Sequence, residues 1–381
     1  MLKIVHVCPF YYPSIGGIEV FCRELAARTA SLGHEVHVIT QAVQGFPKCY
    51  HDGKVKIHRL RPLLRLYKGV LIPQVAKKIG EIDPDIVHIH APAPGMAEFA
   101  VLDGGARILM TYHNDPELSN DWLYVVSVKS YRYLIFPRII SNVDKMVVLA
   151  KSSKEMSSFL RGVPDGKISL IPNGVDVDRF CPGDRPPERF KELIAVGSEH
   201  VVLFVGSMER WRAYKGVRYL IDAIKYLDDL HVMFVFLGAG ELKEQYYEYA
   251  KSMGLSSRTK FVGKVDDDKL LDYYRACNVF VLPSTSVENC PLVVLEAMAC
   301  GLPVITTRIA GPMELVEEGV SGYTVPPRDS RSLAKAIRSI LLDNDERNIM
   351  GRNARRLAIE KYSWAVILEK YMQEYSILHA D

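Results

Sequence analysis

Two acidic residues eight positions apart stand in an apolar part of the second half of this 381-residue chain. Glu288 precedes a short helix that Pro291 and Gly301 are predicted to bound, because proline suits the first helical position and glycine the end of a helix. Glu296 projects from that helix among leucine, valine, alanine and methionine. A carboxylate in such surroundings needs a partner. The hydroxyls of a sugar or ribose would serve, and so would an arginine or a backbone amide.

A loop rich in cations precedes a second predicted helix. Strand Val201–Val205 is predicted to run into a loop with Arg210, Arg212 and Lys215, ahead of a helix over Val217–Leu227. Cations at the carboxyl end of a strand and the amino end of a helix are placed to hold a diphosphate. The same side chains are also typical of a solvated surface.

The first predicted strand leads into a loop with Gly16 and Gly17, just before a helix over Ile18–Ser31. Two glycines there let backbone N–H groups approach an anion at the positive end of the helix, although a tight turn without a ligand has the same sequence. A dinucleotide site would need three glycines as G-x-G-x-x-G, which neither this pair nor Gly238-Ala-Gly240 provides. An NAD enzyme is therefore disfavoured.

The elements that must position these residues follow an α/β pattern. Short runs rich in valine and isoleucine alternate with stretches of helical period, and their continuous hydrophobicity indicates strands buried on both faces. We predict strands over Lys3–Cys8, Glu35–Thr40, Val55–Leu60, Ile86–His90, Arg107–Tyr112, Lys145–Leu149, Lys167–Ile171, Val201–Val205, His231–Leu237, Lys260–Val265, Asn278–Leu282 and Pro303–Thr306. Two doubly wound domains follow, with ligands expected at the carboxyl ends of the strands. A lapse of the pattern between Cys181 and His200 predicts the linker.

The composition excludes several classes of protein. An apolar fraction of 48% and a charged fraction of 24% are typical of a globular protein and not of a disordered or fibrous one. The seven cysteines are an odd number and form no C-x-x-C pair, which favours a reduced, cytoplasmic protein over a disulfide scaffold or a zinc knuckle. No apolar run reaches the ~18 residues that span a bilayer, and no cleavage site follows the start, as a signal peptide would require.

The net charge of +3 is unevenly spread along the chain. Residues 54–78 carry eight lysines and arginines and no acidic residue, and residues 122–140 place Lys129, Arg132 and Arg138 among aromatic and aliphatic side chains. Both segments are typical of contact with an anionic membrane, and equally of a solvated face over core residues. No recognition motif accompanies the charge, which argues against a nucleic-acid partner.

Some sequences that resemble metal sites are better explained as structural. Asp83-Pro-Asp85 precedes a strand, away from the ligand-binding edge, Asp176-Val-Asp178 follows a turn, and Asp266-Asp-Asp268 is typical of a helix cap. His88 and His90 share a strand face and are typical of satisfied core histidines. We therefore predict no metal site.

The acidic residues and their surroundings resemble the signature of family 4 of the glycosyltransferases. Glu288 and Glu296 are followed by Ala297-Met-Ala-Cys-Gly-Leu-Pro303, Gly311 and Glu314. Further matching segments span nearly the whole chain: Gly16-Gly-Ile-Glu19, Thr111-Tyr-His-Asn114, Ile171-Pro-Asn-Gly-Val-Asp176 and Lys215-Gly216. The fold that the resemblance implies is α/β of the GT-B type, two Rossmann-like doubly wound parallel-sheet domains facing across a cleft.

The resemblance implies a role for each domain. Residues 1–180 would form the acceptor-side Rossmann-like domain, with the C-terminal helix 363–381 packing back on it and burying the face that contains Trp364. Residues 181–362 would bind the nucleotide-sugar donor.

The resemblance also implies roles for single residues. Lys215 would neutralise the donor diphosphate, Glu288 would contact sugar hydroxyls, and Glu296 would contact the ribose. His113 would line the donor sugar near the acceptor, and Gly16 would offer a backbone contact to phosphate. The catalytic residues would be His113, Lys215 and Glu288, and the donor-binding residues Gly16, Gly17, Arg210, Arg212, Lys215, Val265, Glu288, Asn289, Cys290, Pro291, Leu292 and Glu296.

One departure from the family pattern concerns the phosphate site. The family's phosphate-binding arginine usually follows a glycine directly, but here Ser207 follows Gly206 and the loop to Lys215 is longer. Arg210 or Arg212 would have to replace that charge, and Arg210 is slightly favoured.

The resemblance therefore implies a metal-independent, retaining glycosyltransferase, and we expect it to move a hexose from a nucleotide-diphosphate sugar to a glycan or lipid-linked acceptor in envelope glycan assembly. We predict no cofactor. The expected place is the cytoplasm, at the inner face of the cell membrane if the basic segments bind lipid. The alternatives are a nucleotide-sugar epimerase on a similar fold and a non-catalytic nucleotide-sugar-binding surface protein, which Ser207 brings into consideration.

Overall fold

The chain forms two compact units in the computed structural model, which describes residues 1–14, 16–66, 69–102, 105–116, 121–183, 198–286 and 288–380. Unit 1 comprises Met1–Asn173 and Ala365–Asp381, and unit 2 comprises Gly174–Trp364. The sequence placed the first boundary after residue 180, whereas the compact unit ends at Asn173. Most of the predicted linker, 184–197, lies outside the described residues.

Unit 1 is built on an eight-stranded sheet with the order β10-β9-β8-β7-β1-β2-β4-β3. Only the edge pair of β3 and β4 is antiparallel among the described strands of this sheet. The order reverses between β1 and β7, where an open parallel sheet leaves a crevice for ligands at the carboxyl ends of its strands. The strands of unit 1 are β1 (Lys3–Val7), β2 (Glu35–Gln41), β3 (Cys49–Asp52), β4 (Val55–Leu60), β5 (Leu64–Leu66), β6 (Gly69–Leu71), β7 (Ile86–Ala91), β8 (Arg107–Tyr112), β9 (Lys145–Val148) and β10 (Ile168–Leu170), of which β5 and β6 form a separate hairpin.

Unit 2 is built on a six-stranded parallel sheet with the order β13-β12-β11-β14-β15-β16. This is the Rossmann order, in which the chain starts in the middle, moves outward, and then returns to build the other half. The switch point lies between β11 and β14. The strands are β11 (His200–Val205), β12 (Val232–Leu237), β13 (Thr259–Gly263), β14 (Val279–Leu282), β15 (Val304–Thr307) and β16 (Gly322–Val325).

Helices cover the sheets because the strands are apolar on both faces. In unit 1 the helices are α1 (Gly17–Ser31), α2 (Gln74–Ile82), α3 (Ala97–Ala100), α4 (Trp122–Ser130), a π-helical turn (Tyr131–Ile135), α5 (Phe136–Asn142) and α6 (Ser153–Met156). The remaining helices are α7 (Val217–Ile224), α8 (Lys243–Ser252), α9 (Asp267–Ala276), α10 (Leu292–Ala299), α11 (Pro312–Leu315), α12 (Ser330–Leu342), α13 (Asn344–Tyr362) and α14 (Trp364–Ala380). A short 3₁₀ segment, Arg210–Lys215, precedes α7.

The last helix, α14, buries one face in unit 1. Ile367, Tyr371 and Tyr375 are fully buried at intervals of four residues, which places them on one side of the helix. The hydroxyl of Tyr375 lies 2.7 Å from Nδ1 of His88, and that of Tyr371 lies 3.0 Å from Oγ1 of Thr111. Trp364, at the start of the helix, packs instead in unit 2.

Trp364 packs on a glycine that has no room for a side chain. A Cβ atom at Gly174 would lie 2.6 Å from the Trp364 ring. The expectation that unit 1 buries the Trp364 face therefore holds for the helix beyond this residue and not for Trp364 itself.

The structure corrects several local predictions. Strands β3, β5, β6 and β16 were not predicted, and of these β3 carries polar side chains. Pro291 occupies the N-cap position of α10 and not its first turn. Asp266 precedes α9 as predicted, but its side chain makes no capping hydrogen bond. No helix within the described ranges combines the length and the apolar character needed to cross a bilayer.

Candidate functional site

Lys215 and Glu288 form a buried ion pair at the switch point of unit 2. Nζ of Lys215 lies 3.0 Å and 3.2 Å from the two carboxylate oxygens of Glu288, and each side chain is only 9% exposed. Ser284 donates its hydroxyl to the same carboxylate. The loops that carry Lys215 and Glu288 follow β11 and β14, the two strands between which the strand order reverses. The fold thus brings together two residues that stand 73 positions apart.

Two glycines with positive φ allow this approach of loops. Gly216 has φ +73°, and a Cβ atom there would lie 2.0 Å from the carbonyl oxygen of Pro283. Gly311 has φ +86°, and its Cβ atom would lie 1.7 Å from the carbonyl oxygen of Glu288. Any other residue at either position would push the backbone away. The close approach explains why glycine follows Lys215 and why Gly311 belongs to the same motif.

The second acidic residue of the motif, Glu296, has a partner within the protein. Tyr274 donates its hydroxyl to Oε2 of Glu296 at 2.7 Å. Burial, together with the negative charge of Glu296, raises the pKa of Tyr274 well above its usual value, so this hydroxyl remains a donor. A carboxylate has about four acceptor positions, so the Tyr274 bond leaves capacity for a further donor.

The cations of the loop after β11 are more exposed than Lys215. Arg210 lies 3.5 Å from Glu241 in an ion pair whose partners are both mostly exposed. Arg212 stacks on the ring of Trp211 at 4.2 Å, and its Nη1 lies 3.5 Å from the hydroxyl of Tyr214. Ser207 accepts a hydrogen bond from the backbone of Glu209 at 3.4 Å. Arg210 and Arg212 both remain candidates for the second phosphate contact.

The other predicted donor residues of unit 2 lie in loops or at a helix start along the same edge of the sheet. Asn289 and Cys290 lie between Glu288 and the N-cap of α10, and Cys290 is buried. Leu292 is the first residue of α10, so the amino end of this helix follows Pro291 at the same edge of the sheet. Val265 lies in the loop after β13, one strand further from the switch point than β12.

The predicted residues of unit 1 lie at the carboxyl edge of its own sheet. Gly16 is the N-cap of α1 and Gly17 is its first residue, directly after the loop that follows β1. Neither has a positive φ, so the glycines are not required by backbone conformation there. His113 follows β8 and is buried.

His113 ends a chain of buried imidazoles that sequence reasoning missed. Its Nε2 lies 3.2 Å from Nδ1 of His90, and Nε2 of His90 lies 3.0 Å from Nδ1 of His6. His88 is hydrogen-bonded separately, to Tyr375 and to Thr111, at 2.7 Å each. The prediction that His88 and His90 are satisfied core histidines is confirmed by these bonds.

Burial keeps these imidazoles neutral. It lowers the pKa of His6 and of His113 to about 3 each, and holds the pKa values of His88 and His90 well below their usual range. A neutral imidazole has one donor and one acceptor, so each link of the chain fixes the tautomer of the next. His113 is thus an uncharged group whose hydrogen-bonding sense depends on His90 and His6.

Within the described residues, one group has ligand atoms close enough together to hold a metal ion. The ligand atoms of His6, Cys22 and His90 lie within 4.8 Å of one another. Both ring nitrogens of His90 are already hydrogen-bonded to imidazoles, so His90 belongs to a hydrogen-bonded core, whereas Nε2 of His6 is buried without a partner among the described residues. Of the aspartate pairs, Asp85 accepts from the backbone of Lys3 at 2.7 Å, and Asp176 accepts from two backbone N–H groups. Those side chains have structural partners.

Two family models together match most of the chain. The model described as Glycosyltransferase Family 4 matches residues 15–179, and the model described as Glycosyl transferases group 1 matches residues 184–357. The chain belongs to glycosyltransferase family 4. The enzyme resembles a glycosyltransferase of Methanocaldococcus jannaschii. The two are 28% identical over an alignment of 392 positions, gaps included, which covers 99% of this chain and 98% of the relative.

Solved structures show that this glycosyltransferase has the GT-B fold. Sucrose-phosphate synthase of Thermosynechococcus elongatus matches with a TM-score of 0.80 at 23% identity, over 100% of both chains. HepE of Anabaena in complex with UDP matches with a TM-score of 0.78 at 21% identity, over 99% of this chain and 100% of the other. Both confirm two Rossmann-like domains, as the strand orders of units 1 and 2 show individually.

The described cations of the basic segment 54–78 differ in their exposure and in their partners. Of the eight cations in 54–78, Arg59 is buried, Lys78 pairs with Glu81, and Lys68 lies outside the described residues. The remaining exposed cations, such as Arg61 and Arg65, are what a charged surface would present. Arg59 was counted as a surface charge, and the structure overturns that.

Proposed function

We propose that the enzyme binds a nucleotide-diphosphate hexose at the carboxyl edge of the unit 2 sheet and transfers the hexose with retention of configuration. The observation that carries the proposal is the buried pair of Lys215 and Glu288 at the switch point, beside the amino ends of α7 and α10. A cation and two helix N-termini at one edge suit a diphosphate. A carboxylate beside them suits the hydroxyls of the attached sugar.

In this proposal the bound donor gives both Lys215 and Glu288 a new partner. The diphosphate approaches Nζ of Lys215, and the hexose hydroxyls donate to the carboxylate of Glu288. During transfer, the bond from the anomeric carbon to the diphosphate oxygen breaks, and the electron pair leaves with the diphosphate. The acceptor oxygen forms the new bond on the same face, and its proton passes to the departing diphosphate. Lys215 stabilises the charge that develops on that leaving group.

The proposed reaction needs no metal ion, because protein cations can carry the charge. Lys215, with Arg210 or Arg212, would supply the positive charge that a metal supplies to a diphosphate elsewhere. The aspartates of the Asp-x-Asp sequences that could bind a metal, such as Asp85 and Asp176, accept backbone hydrogen bonds instead. We propose no cofactor besides the donor itself.

The roles proposed for unit 1 are contact with the sugar and binding of the acceptor. His113 is uncharged at neutral pH, so it would offer a directed hydrogen bond to a sugar hydroxyl and not a charge. Gly16 and Gly17, at the start of α1, offer backbone N–H groups to phosphate. The proposed acceptor is a glycan or a lipid-linked glycan of the cell envelope.

We propose that unit 1 also contacts an anionic membrane from the cytoplasmic side. Trp122 and Tyr133 are 69% and 65% exposed, and Leu123, Val126 and Leu134 are exposed with them. Lys129 and Arg138 are exposed in the same segment. Aromatic and basic side chains together favour the interface of an anionic bilayer, and each cation contributes about 1 kcal/mol there.

The proposed function is tested by incubating the full chain with UDP-, GDP- and ADP-hexoses in the presence of EDTA, with a lipid-linked glycan and a free glycan as acceptors. NMR of the product should show the anomeric configuration of the donor. Inversion, or activity that EDTA abolishes, would contradict the mechanism. An epimerised nucleotide sugar from donor alone would favour the epimerase, and binding of donor without transfer or hydrolysis would favour a non-catalytic protein.

A further inference from the structure

Among the described residues, one lysine and one arginine side chain are buried, and they differ in their partners. Lys215 is 7% exposed and has Glu288 as its counter-charge. Arg59 is 3% exposed and has no carboxylate within 4.0 Å in the described part of the chain. A buried cation without a counter-charge is costly, because its hydration is lost and nothing replaces it. Arg59 therefore needs an explanation that Lys215 does not.

Arg59 has partners on one side of its guanidinium only. Its Nη2 donates to the carbonyl oxygen of Tyr12 and, at 3.1 Å, to the hydroxyl of Tyr50. The guanidinium also contacts two rings, with its Cζ 4.7 Å from the centroids of both Phe46 and Tyr50. Stacking of this kind stabilises the cation, but a ring face accepts no in-plane hydrogen bond from the guanidinium edge.

The other side of the guanidinium has no partner. Within the described residues, neither Nε nor Nη1 of Arg59 has a hydrogen-bond acceptor, and neither atom is exposed to solvent. These two nitrogens carry three N–H groups. Buried donors that remain unpaired are rare, because each costs about 1–3 kcal/mol and more when it is charged. Such donors are expected where a ligand completes the site.

The position of Arg59 in the sheet also indicates a ligand site. It is the penultimate residue of β4, so it stands at the carboxyl edge of the parallel strands, where ligands of this fold bind. Its partner Tyr12 belongs to the loop after β1, the same loop that ends at Gly16. Arg59 therefore faces the loops at the edge to which the proposed function assigns the acceptor.

We infer that Arg59 binds an anionic group of the acceptor, a phosphate monoester or a carboxylate, through Nε and Nη1. This inference rests on the proposed function and names the class of acceptor. The guanidinium is planar and always charged, and its N–H groups match the oxygens of both anions. The anion supplies the counter-charge that the free protein lacks.

Entry of the anion requires the surroundings of Nε and Nη1 to move, because neither atom is exposed. Tyr50 is held in β3, where it pairs with Ile57 of β4. Phe46 lies in the turn between β2 and β3 and is 39% exposed, so it loses less apolar burial by moving. Of the two rings that contact the guanidinium, Phe46 is the one whose movement costs less.

The test measures the melting temperature of the full chain against four probes: inorganic phosphate, glucose 6-phosphate, glucuronate and glucose. We expect the anionic probes to stabilise the wild type and glucose to have no such effect at the same concentration. Glucose 6-phosphate without glucuronate would assign a phosphate, and glucuronate without glucose 6-phosphate a carboxylate. Equal shifts with glucose, or no shift with any anion, would overturn the inference.

Variants locate the anion. Arg59→Met should weaken the affinity for the stabilising anion about tenfold or more, since a hydrogen bond to a charged group contributes at least that much. Arg59→Lys, which keeps the charge without the planar donors, should be intermediate. The matched control is Arg107→Gln, which removes an exposed cation at the opposite, amino end of β8 and should bind as the wild type does. Wild-type affinity in both Arg59 variants would overturn the inference. If one variant does not fold, wild-type affinity in the other would overturn it.

Failure of this inference is distinguishable from failure of the proposed function. Stabilisation by UDP, GDP or ADP reports the Lys215 site in unit 2 and does not depend on Arg59. If a nucleotide binds but no anionic probe does, the acceptor class is wrong and the donor proposal stands. If neither binds, both proposals are wrong.

Discussion

The two buried cations of this glycosyltransferase differ in how the free protein satisfies them. Lys215 of unit 2 lies 3.0 Å from a carboxylate oxygen of Glu288, whereas Arg59 of unit 1 contacts two rings and has Nε and Nη1 unpaired among the described residues. In the two proposals, unit 2 therefore carries its own stand-in for part of the ligand. Unit 1 leaves the corresponding position to be completed by the acceptor.

In the two proposals, the difference between the paired Lys215 and the partly unpaired Arg59 determines which ligand each unit selects. A donor that displaces an internal ion pair must replace both partners at once, so it needs an anion and hydroxyl donors together, as a nucleotide sugar has. An acceptor that fills an unpaired guanidinium needs only an anion. Two of the imidazoles buried in unit 1 add no charge at neutral pH, since burial lowers the pKa of His6 and His113 to about 3.

The largest expected effect is on catalysis. Lys215→Ala should lower kcat/KM about a hundredfold or more, because one contact to developing charge contributes about 3 kcal/mol. The control is Lys361→Ala, which removes an ion pair of the same length, 3.0 Å to Glu317, from the exposed surface of unit 2. Steady-state assays of both variants test this. Near-normal activity of Lys215→Ala would show that the buried pair is not part of the donor site.

The next effect concerns the stability of unit 2. Lys215→Met leaves the Glu288 charge buried without its counter-charge, so amides of β11 and β14 should lose about 3 kcal/mol of protection against hydrogen exchange. The double variant Lys215→Met with Glu288→Gln should recover much of that loss. Arg59→Met should cost unit 1 less, since it strands only neutral acceptors. Additive losses in the double variant would contradict a coupled pair.

Acid should destabilise unit 1 at a higher pH than unit 2. A histidine with a folded pKa of about 3 and an ordinary pKa of about 6.5 is neutral in both states only well above pH 6.5. As the pH falls below 6.5 the unfolded state gains the proton first, so stability is lost progressively down to pH 3. At pH 5 one such histidine costs about 2 kcal/mol.

Hydrogen exchange at pH 7 and pH 5 should therefore show unit 1 losing protection before unit 2. His6→Phe removes one of the titrating groups and should reduce the difference. Equal losses in the two units would show that the imidazoles of unit 1 are protonated in the folded protein.

The smallest effect concerns the charged surface. Residues 1–180 carry a net charge of +5 and the rest −2. Sedimentation with anionic vesicles should bring down the wild type, and each of Trp122→Ser and Lys129→Gln should weaken that by about 1 kcal/mol. Raising the salt should release the protein from vesicles while nucleotide affinity changes little, because exposed charges are screened more than buried ones. Vesicle binding that salt leaves unchanged would contradict an electrostatic contact.

Much of the fold could be predicted from the sequence because the strands are apolar on both faces. Strands such as Val55–Leu60 and Arg107–Tyr112 match in both limits. Arg59 was misjudged although its position contained the signal: Val55, Ile57 and Arg59 alternate along one strand, so Arg59 shares the face of two buried residues. Its charge was weighed above its place in the strand.

The site was predictable in its residues but not in its contacts. The motif brought Glu288 and Lys215 to notice, yet their direct pairing depends on the strand order, which no local pattern contains. Similarly, the need of Glu296 for a partner followed from its apolar surroundings, whereas Tyr274 comes from α9 and could only be found in the structure. The histidine chain joins β1, β7 and the end of β8 for the same reason.

The most direct test of the account is the shift in melting temperature that UDP, GDP or ADP produces in the wild type, in Lys215→Met and in Arg59→Met. A nucleotide at about 100 times its Kd stabilises the folded protein by about 2.7 kcal/mol. The account predicts that the preferred nucleotide stabilises the wild type and Arg59→Met equally and stabilises Lys215→Met far less. An undiminished shift in Lys215→Met, or a shift lost in Arg59→Met, would contradict the assignment of the donor to the buried pair in unit 2.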